Sequence, residues 1–344
     1  MPRGDERIAW GEIGVMMIDR FPLGYNTYCL RALRWHDLPL IEYATAMKLD
    51  AIMLQDSLDP GTNDPAHWKV VKEAAAKAGL WLGTGGGAVL PKDASEFDHS
   101  VKLLSDSIKR AVGMGSPLVR MLLAGDREHL PAGPPAQHVE TMIKVLRVVR
   151  SQAMDAGVKF AIENHKELLC WQTRQVIEGA GKEFVGSYLD TGNPVFVMED
   201  PMQAVETLGP LALMLHLRDS VVYETPKGIA VQWVPLGEGV VDFKAIIAKA
   251  KEICPPLSVF IKPITGRPPA ILPVWDAAFM KKYEDVRAED FARFLALAKK
   301  GGPYERHMVI EDVPGQSAAP LTAALTYQQR DHMERGIEYG KKVL

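Results

Sequence analysis

Three residues in the middle of the chain could bind a metal ion or move a proton. Glu163, Asp190 and His216 each follow a short apolar run. Glu163 and Asp190 are 27 positions apart, and Asp190 and His216 are 26 positions apart. Two carboxylates and an imidazole are a suitable ligand set for Mn²⁺, Mg²⁺, Co²⁺ or Zn²⁺. A carboxylate such as Glu163 could ligate the metal, transfer a proton, or do both.

Each of these residues also has a structural interpretation. An acidic residue after a strand is often a helix cap, and the sequence of Asp190 to Asn193 also suits a turn. A single histidine after an apolar run is more often a buried residue with a hydrogen-bond partner than a ligand. Three such residues at successive strand ends favour a shared site over three coincidences.

The segments that carry these residues alternate between short apolar runs and helix-period stretches. The clearest helix ends at Gly157 and has an apolar stripe at three-to-four spacing, made by Val139, Met142, Ile143, Leu146, Val149 and Ala153. Eight strand–helix units over about 240 residues are typical of a (β/α)₈ barrel with a parallel sheet. We therefore predict one TIM-barrel domain, with the barrel over about 23–265 and the site at the carboxyl ends of its strands.

The remaining residues, about 266–344, are predicted to form a C-terminal extension. It contains the segment GRPPAILP, of which GRPP is predicted to be a stiff loop, and helices are predicted over 288–299 and 321–343. The last helix is charged on one side, so we expect it either to cover the barrel or to contact a second subunit. A homo-oligomer is therefore a possible assembly.

Composition excludes several classes of partner. The 344 residues carry a formal net charge of −3 without a Lys/Arg run, so we expect no nucleic-acid binding. No apolar run reaches the roughly 18 residues of a membrane helix, and the N-terminus lacks the apolar core of a signal peptide. Cys29, Cys170 and Cys254 form no CxxC pair and are expected to be reduced thiols. These features predict a cytoplasmic protein.

Five segments together resemble the xylose-isomerase-like superfamily of sugar isomerases and epimerases. They are AIENH, VGSYLDTGNP, LHLRD, PLGEGVVDF and ITGRPP, and the resemblance covers nearly the whole barrel. It implies a sugar or polyol substrate and a metal held by Glu, Asp, His and a second Glu. The first three ligands match Glu163, Asp190 and His216. In the epimerases of this family the two Glu residues also act as the acid/base pair.

The chain departs from the family pattern at the fourth ligand. Lys262 stands where the second Glu is expected, and an ammonium cannot ligate a cation. Three interpretations are open: a metal held by three protein ligands with Lys262 as proton donor or acceptor, a lysine that replaces the metal and pairs with Glu163 and Asp190, or an inactive site. The structural alternative is that Lys262 points out of the barrel.

Other residues at the strand ends are candidates for proton transfer and substrate binding. His165 is an alternative proton carrier, because its ordinary pKa lies near neutrality. Arg218, Arg267, Gln55 and Asn193 are the candidate substrate contacts. Arg218 could instead pair with Asp219, and Arg267 could instead lie on the surface.

These observations lead to one main hypothesis and two alternatives. The main hypothesis is an isomerase- or epimerase-like enzyme that removes a proton next to the carbonyl of a sugar or polyol, assisted by a divalent metal. The first alternative is a lyase or dehydratase of a keto-sugar or keto-polyol, including cleavage of 3-keto-glycosides. The second is a non-catalytic sugar-binding protein that has lost its metal. The missing second Glu favours elimination somewhat over epimerisation, because an epimerase needs an acid and a base on opposite faces.

Overall fold

The computed structural model describes residues 21–54, 63–311 and 318–344. Eight parallel strands close into a barrel, in the order β1-β10-β7-β6-β5-β4-β3-β2. They are β1 (Leu23–Asn26), β2 (Ala51–Leu54), β3 (Trp81–Ala88), β4 (Leu118–Leu122), β5 (Lys159–Glu163), β6 (Val185–Asp190), β7 (Ala212–Leu217) and β10 (Ser258–Ile261). This confirms the predicted (β/α)₈ barrel. It also confirms that neighbouring strands carry Glu163, Asp190 and His216.

Helices connect the strands on the outside of the barrel. They are α1 (Asp37–Ala46), α2 (Pro65–Lys77), α3 (Phe97–Met114), α4 (Pro135–Val148), α5 (Arg150–Ala156), α6 (Cys170–Ala180), α7 (Pro201–Leu208) and α8 (Phe243–Ile253). The helix predicted around Met142 is divided at Val149, whose backbone is not helical, and it ends at Gly157 in the left-handed conformation. The apolar stripe still points inward, because both pieces bury the same face.

The barrel interior explains why polar residues can converge at one end. A buried layer inside the barrel is formed by Ala51, Met53, Leu118, Ala161, Tyr188, Met214 and Phe260. Side chains alternate between the two faces of a strand, so a residue two positions later points inward again, nearer the carboxyl end. Two positions after five of these residues stand Arg120, Glu163, Asp190, His216 and Lys262. The polar layer thus lies directly on the apolar layer, on the side of the carboxyl ends of the strands.

The excursion after β7 forms a second, antiparallel sheet. It contains β8 (Asp219–Thr225), β9 (Gly228–Val234) and β11 (Ala270–Leu272). Residues 266–269 form neither helix nor strand, in agreement with the loop predicted for GRPP. The strand that follows was not predicted: Ala270–Leu272 pairs with β9, and Leu272 joins a separate apolar core. That core also includes Phe294 of α10 (Ala288–Lys300), which follows the short helix α9 (Ala277–Lys281).

The last helix, α11 (Ala318–Val343), packs against the barrel and holds two of its loops. Gln329 accepts a hydrogen bond from the backbone N–H of Ala32, at 2.8 Å. His332 lies 2.7 Å from the Thr265 hydroxyl, four positions after the last barrel strand. The helix therefore covers the barrel, which is one of the two roles expected for it. The other role, contact with a second subunit in a homo-oligomer, stays a prediction. None of the helices in the described ranges has the length and apolar character needed to span a bilayer.

The PLGEG segment is shaped by a single buried carboxylate. Asp219 accepts backbone hydrogen bonds from Ser220, Gly237, Gly239 and Val241, at 2.9 to 3.2 Å. These bonds tie the loop after β9 to the start of β8. Asp219 follows Arg218 directly, so the same bonds hold the backbone that carries the Arg218 side chain.

We expect Asp219→Ala to lower the free energy of unfolding by about 3 kcal/mol, because it leaves two buried N–H groups, of Ser220 and Val241, and two partly buried ones, of Gly237 and Gly239, without their acceptor. Urea denaturation measures this change. The matched control is Asp242→Ala, which removes an exposed helix cap on α8 and should lower the free energy of unfolding by about 1 kcal/mol. Equal losses in the two variants would contradict the role given to Asp219.

Candidate active site

Glu163 lies at the centre of the polar layer and is held from two sides. One carboxylate oxygen, Oε2, accepts hydrogen bonds from Nε of Arg120, at 2.7 Å, and from its Nη2. The other, Oε1, accepts from Nζ of Lys262 at 2.5 Å and from the amide of Asn193 at 3.0 Å. A carboxylate has about four acceptor positions, and here four donors use them. Burial alone would raise the pKa of Glu163, but Arg120 and Lys262 hold it well below its usual value.

Asp190 has one satisfied oxygen and one that faces three nitrogens. Its Oδ1 accepts the backbone N–H groups of Gly192 and Asn193, at 2.9 and 3.0 Å. Its Oδ2 lies 3.4 Å from His216 Nδ1, 3.5 Å from Arg218 Nε and 3.7 Å from Lys262 Nζ. Burial opposes ionisation, but Arg218 and His216 outweigh it, so the pKa of Asp190 is lowered. The negative charge of Asp190 is therefore shared among His216, Arg218 and Lys262.

His216 is held in one tautomer by its neighbours. The amide nitrogen of Asn26 lies 3.3 Å from Nε2, and an amide nitrogen can only donate. Nε2 is then the acceptor, and the ring proton is on Nδ1, which faces Asp190. The ring also packs against Tyr188, with centroids 3.7 Å apart. Burial, reinforced by Lys262, lowers the pKa of His216 to about 3, so the imidazole is neutral.

Lys262 points into the barrel, which contradicts the alternative that it points outward. Its side chain is only 2% exposed, and its ammonium contacts both Glu163 and Asp190. Its backbone N–H donates to the carbonyl of Leu217, so the residue continues the register of β10 with β7. Burial, together with Arg218, lowers the pKa of Lys262 to about 8, against the opposing effect of the two carboxylates. The lysine is therefore a buried ammonium at neutral pH.

Arg218 is completely buried and has partners on each side. It donates to the amide oxygen of Asn193 and lies over the Trp233 ring, 4.6 Å from its centroid. A Cβ atom at Gly192 would come within 2.6 Å of the Arg218 side chain, so only glycine leaves room for it. Trp233 in turn donates to the carbonyl of Gly192. Arg218 and Asn193 were both expected to contact substrate. In the structure the guanidinium of Arg218 and the amide oxygen of Asn193 bind one another.

His165 is a partly exposed titratable group next to the buried cluster. Its side chain is 17% exposed, and its Nδ1 faces the carbonyl oxygen of Gly125. Since a carbonyl can only accept, Nδ1 carries the proton and Nε2 keeps a free lone pair. Burial lowers the pKa of His165 to about 3, and the charges of Glu163, Lys262 and Arg218 also act on it. The neighbouring Lys166 pairs with Asp126 at 2.6 Å and is 21% exposed.

Two further residues, Arg267 and Gln55, were predicted to contact substrate, and neither is seen in this cluster. Arg267 is about one-third exposed, and its Nε lies 3.1 Å from Glu311. This places it in the loop after β10, with its charge balanced by a residue of the C-terminal extension. Gln55 lies outside the described residues.

Sequence reasoning missed Arg120, and it did not predict that Asn26 contacts His216 or that Trp233 covers Arg218. Arg120 was detectable in principle, because it is the single charge within the apolar run of β4. Asn26 ends β1 as Glu163 ends β5, and both are buried. The place of Trp233 over Arg218 depends on the β8–β9 pairing across the sheet, which no local pattern shows.

The three predicted metal ligands are close enough to share an ion. Glu163, Asp190 and His216 each offer one ligand atom, and these atoms lie within 4.8 Å of one another. The lone pairs of Glu163, however, accept four hydrogen bonds, one of them from Lys262, and Nε2 of His216 accepts from Asn26. Oδ2 of Asp190 has no hydrogen-bond partner among the described residues, but the Lys262 ammonium lies 3.7 Å from it. In this arrangement, with a charged Lys262, the residues do not fit a divalent ion.

The fold and the order of the strand-end residues agree with a known family. The family model described as a xylose isomerase-like TIM barrel matches residues 41–254. The chain belongs to this family. A curated relative, the uncharacterized protein YihM of Escherichia coli (strain K12), is 26% identical over 99 residues, which is 29% of this chain and 30% of YihM.

Solved structures of low sequence identity share the fold. D-Psicose 3-epimerase from Clostridium cellulolyticum H10, solved with D-tagatose, is 15% identical, with a TM-score of 0.61, and the match covers 94% of this chain and 99% of the epimerase. The IOLI protein with a zinc atom is 15% identical, with a TM-score of 0.59 over 80% of this chain and 96% of IOLI. A Mycobacterium smegmatis family member in complex with magnesium is 15% identical, with a TM-score of 0.55 over 71% and 90%.

We expect Arg120→Met to lower the free energy of unfolding by about 3–5 kcal/mol, because it removes both hydrogen bonds to Oε2 of the buried Glu163 carboxylate. The control is Arg150→Met. Arg150 pairs with Glu183 at 2.6 Å on the surface, so its loss should change the free energy by less than about 1 kcal/mol. Chemical denaturation of both variants measures the difference. A cost for Arg120→Met as small as that for Arg150→Met would refute the buried clamp on Glu163.

Proposed function

We propose that this chain is an enzyme that isomerises or epimerises a sugar or polyol by removing the proton next to a carbonyl. The supporting observation is a neutral, accessible imidazole beside a buried cluster with excess positive charge. A base and a fixed positive charge are the two groups that this proton removal needs. Membership of the family, and neighbours solved with D-fructose and D-tagatose, support a carbohydrate as the substrate.

His165 is the base in this proposal. Its Nδ1–H is fixed by the Gly125 carbonyl, so the lone pair of Nε2 is oriented and available. The imidazole is already neutral, because burial lowers its pKa to about 3. A weak base of this kind removes a proton efficiently only if the carbanion formed is stabilised at the same time.

The cations behind His165 supply that stabilisation. Arg120, Arg218 and Lys262 carry three positive charges, whereas Glu163 and Asp190 carry two negative ones. This excess of positive charge favours a substrate on which negative charge develops, as on the oxygen of an enediolate. These groups are fixed by hydrogen bonds before the substrate arrives, so little reorganisation is required during the reaction.

Elimination is the second candidate reaction, and one observation favours it. The cluster offers one base, His165, and Lys262 replaces the second carboxylate that a two-base epimerase would use. After the same proton removal, the C–O bond at the β-carbon would break in place of reprotonation, and the leaving oxygen would take up a proton and depart as water or, from a 3-keto-glycoside, as the aglycone alcohol. The products differ in mass from the substrate in elimination and have the same mass in isomerisation.

A metal-assisted reaction is the alternative source of positive charge. Neighbours of known structure with zinc and magnesium support it, as do the ligand atoms of Glu163, Asp190 and His216. It requires that Lys262 give up its contact with Glu163.

The proposal is tested by hydrogen exchange, which requires no knowledge of the product. The protein is incubated in D₂O with D-fructose, D-tagatose and ketones of cyclic polyols, and NMR follows deuterium uptake at the carbon next to the carbonyl. We expect wild-type protein to catalyse uptake and His165→Gln to reduce the rate at least about 100-fold, because proton transfer by a positioned side chain contributes this much. Mass spectrometry of the products separates isomerisation from elimination.

The control for this experiment is His99→Gln. His99 lies on the exposed face of α3, so its substitution should leave the rate unchanged. Equal rates for wild-type and His165→Gln would remove His165 from the mechanism. Binding of these ketones without any exchange would instead favour a sugar-binding protein.

A further inference from the structure

The ammonium of Lys262 has the position that a metal ion would need. It lies 2.5 Å from Glu163 Oε1 and 3.7 Å from Asp190 Oδ2, between two of the three candidate ligands. The third, His216, is 3.4 Å from the same oxygen of Asp190. An ion bound by all three residues would therefore have to enter the space that Nζ fills.

The charge balance around this position also opposes a second cation. The two carboxylates face three fixed positive charges, on Arg120, Arg218 and Lys262, and both carboxylates are fully buried. A divalent ion would raise the net charge of this buried group from one positive charge to three. Charges in a buried region are screened less than those in water, so this addition is strongly unfavourable.

The backbone fixes the lysine in this place. Lys262 follows β10 directly, and its N–H donates to the carbonyl of Leu217 at 3.0 Å. Four positions later the chain turns at Gly266, whose φ of 90° suits glycine, and Thr265 is held by His332 of α11. The side chain therefore enters the barrel from a braced segment and is not a mobile group that a metal ion would easily displace.

We propose that Lys262 is a built-in substitute for a divalent cation, so that the chain works without a metal ion and hides a three-ligand metal site. The ammonium neutralises Glu163 and Asp190 as an ion would, but it forms no coordination bond and cannot be removed by a chelator. Removing this one charge exposes Glu163, Asp190 and His216 as ligands. This inference does not depend on the proposed reaction, because it concerns only which cation the site holds.

The test compares metal binding by the full-length wild-type protein and by Lys262→Met, which has a similar side-chain length and no charge. Both are stripped with EDTA and then dialysed against Mn²⁺. Metal content is measured by mass spectrometry, and thermal melts are recorded with EDTA and with Mn²⁺. We expect the wild-type protein to hold less than about 0.1 ion per chain, with the same Tm in both buffers. Lys262→Met should bind about one Mn²⁺ per chain, with a Tm raised by about 2–4 °C.

Two controls identify the site. Lys166→Met removes another lysine near the cluster, one that pairs with Asp126 and not with Glu163, and should gain no Mn²⁺. Adding Asp190→Asn to Lys262→Met should abolish the gain. If Lys262→Met does not fold, Lys262→Gln is used, with folding checked by circular dichroism.

Either of two results would overturn the inference. The first is a wild-type protein that holds about one metal ion per chain and melts at lower temperature after EDTA. The second is a folded Lys262 variant that binds no more Mn²⁺ than wild type. None of these readouts measures turnover, so they are independent of the exchange experiment on His165.

Discussion

The buried pairing of Glu163 with Arg120 and Lys262 is the interaction on which the rest of the site depends. A carboxylate removed from water is stabilised only when its lone pairs are used, and here two cations and an amide use all of them. These contacts join the neighbouring strands β4 and β5 to the segment after β10, a strand three places away from β5 around the barrel. The closed sheet brings these strands together, and the ion pairs then fix the side chains that fill its end.

The antiparallel sheet after β7 extends this constraint. Arg218 precedes Asp219 in the chain, and Asp219 fixes the PLGEG loop through backbone N–H groups. Trp233, on the returning strand, covers the guanidinium of Arg218 and so shields the cluster from one side. Residues that are far apart in sequence therefore create the low-dielectric surroundings in which the charges of Glu163 and Asp190 act.

The barrel and the residues at its strand ends could be predicted from the sequence, because both follow from local periodicity. Glu163, Asp190 and His216 end successive apolar runs, and in a parallel barrel such ends must meet. The hydrogen bonds and ion pairs between the side chains of the site could not be predicted in the same way. Whether Lys262 contacts Glu163, and whether Asn193 binds Arg218 or a substrate, depends on side-chain directions that no local pattern encodes. The strand β11 was missed for a related reason: only three residues pair, and their partner β9 lies about 40 positions earlier.

The position of α11 affects how the protein is made. The first barrel strand pairs with β10, and α11, the helix that braces the segments after both strands, comes later in the chain than either strand. During synthesis, more than two-thirds of the chain must be made after the first strand before β10, its second neighbour in the barrel, is available for pairing. The segment that carries Lys262 gains its contact with His332 only after α11 has been synthesised. The candidate site therefore depends on a helix that follows every barrel strand in the chain, and a variant from which α11 is deleted would lack this brace.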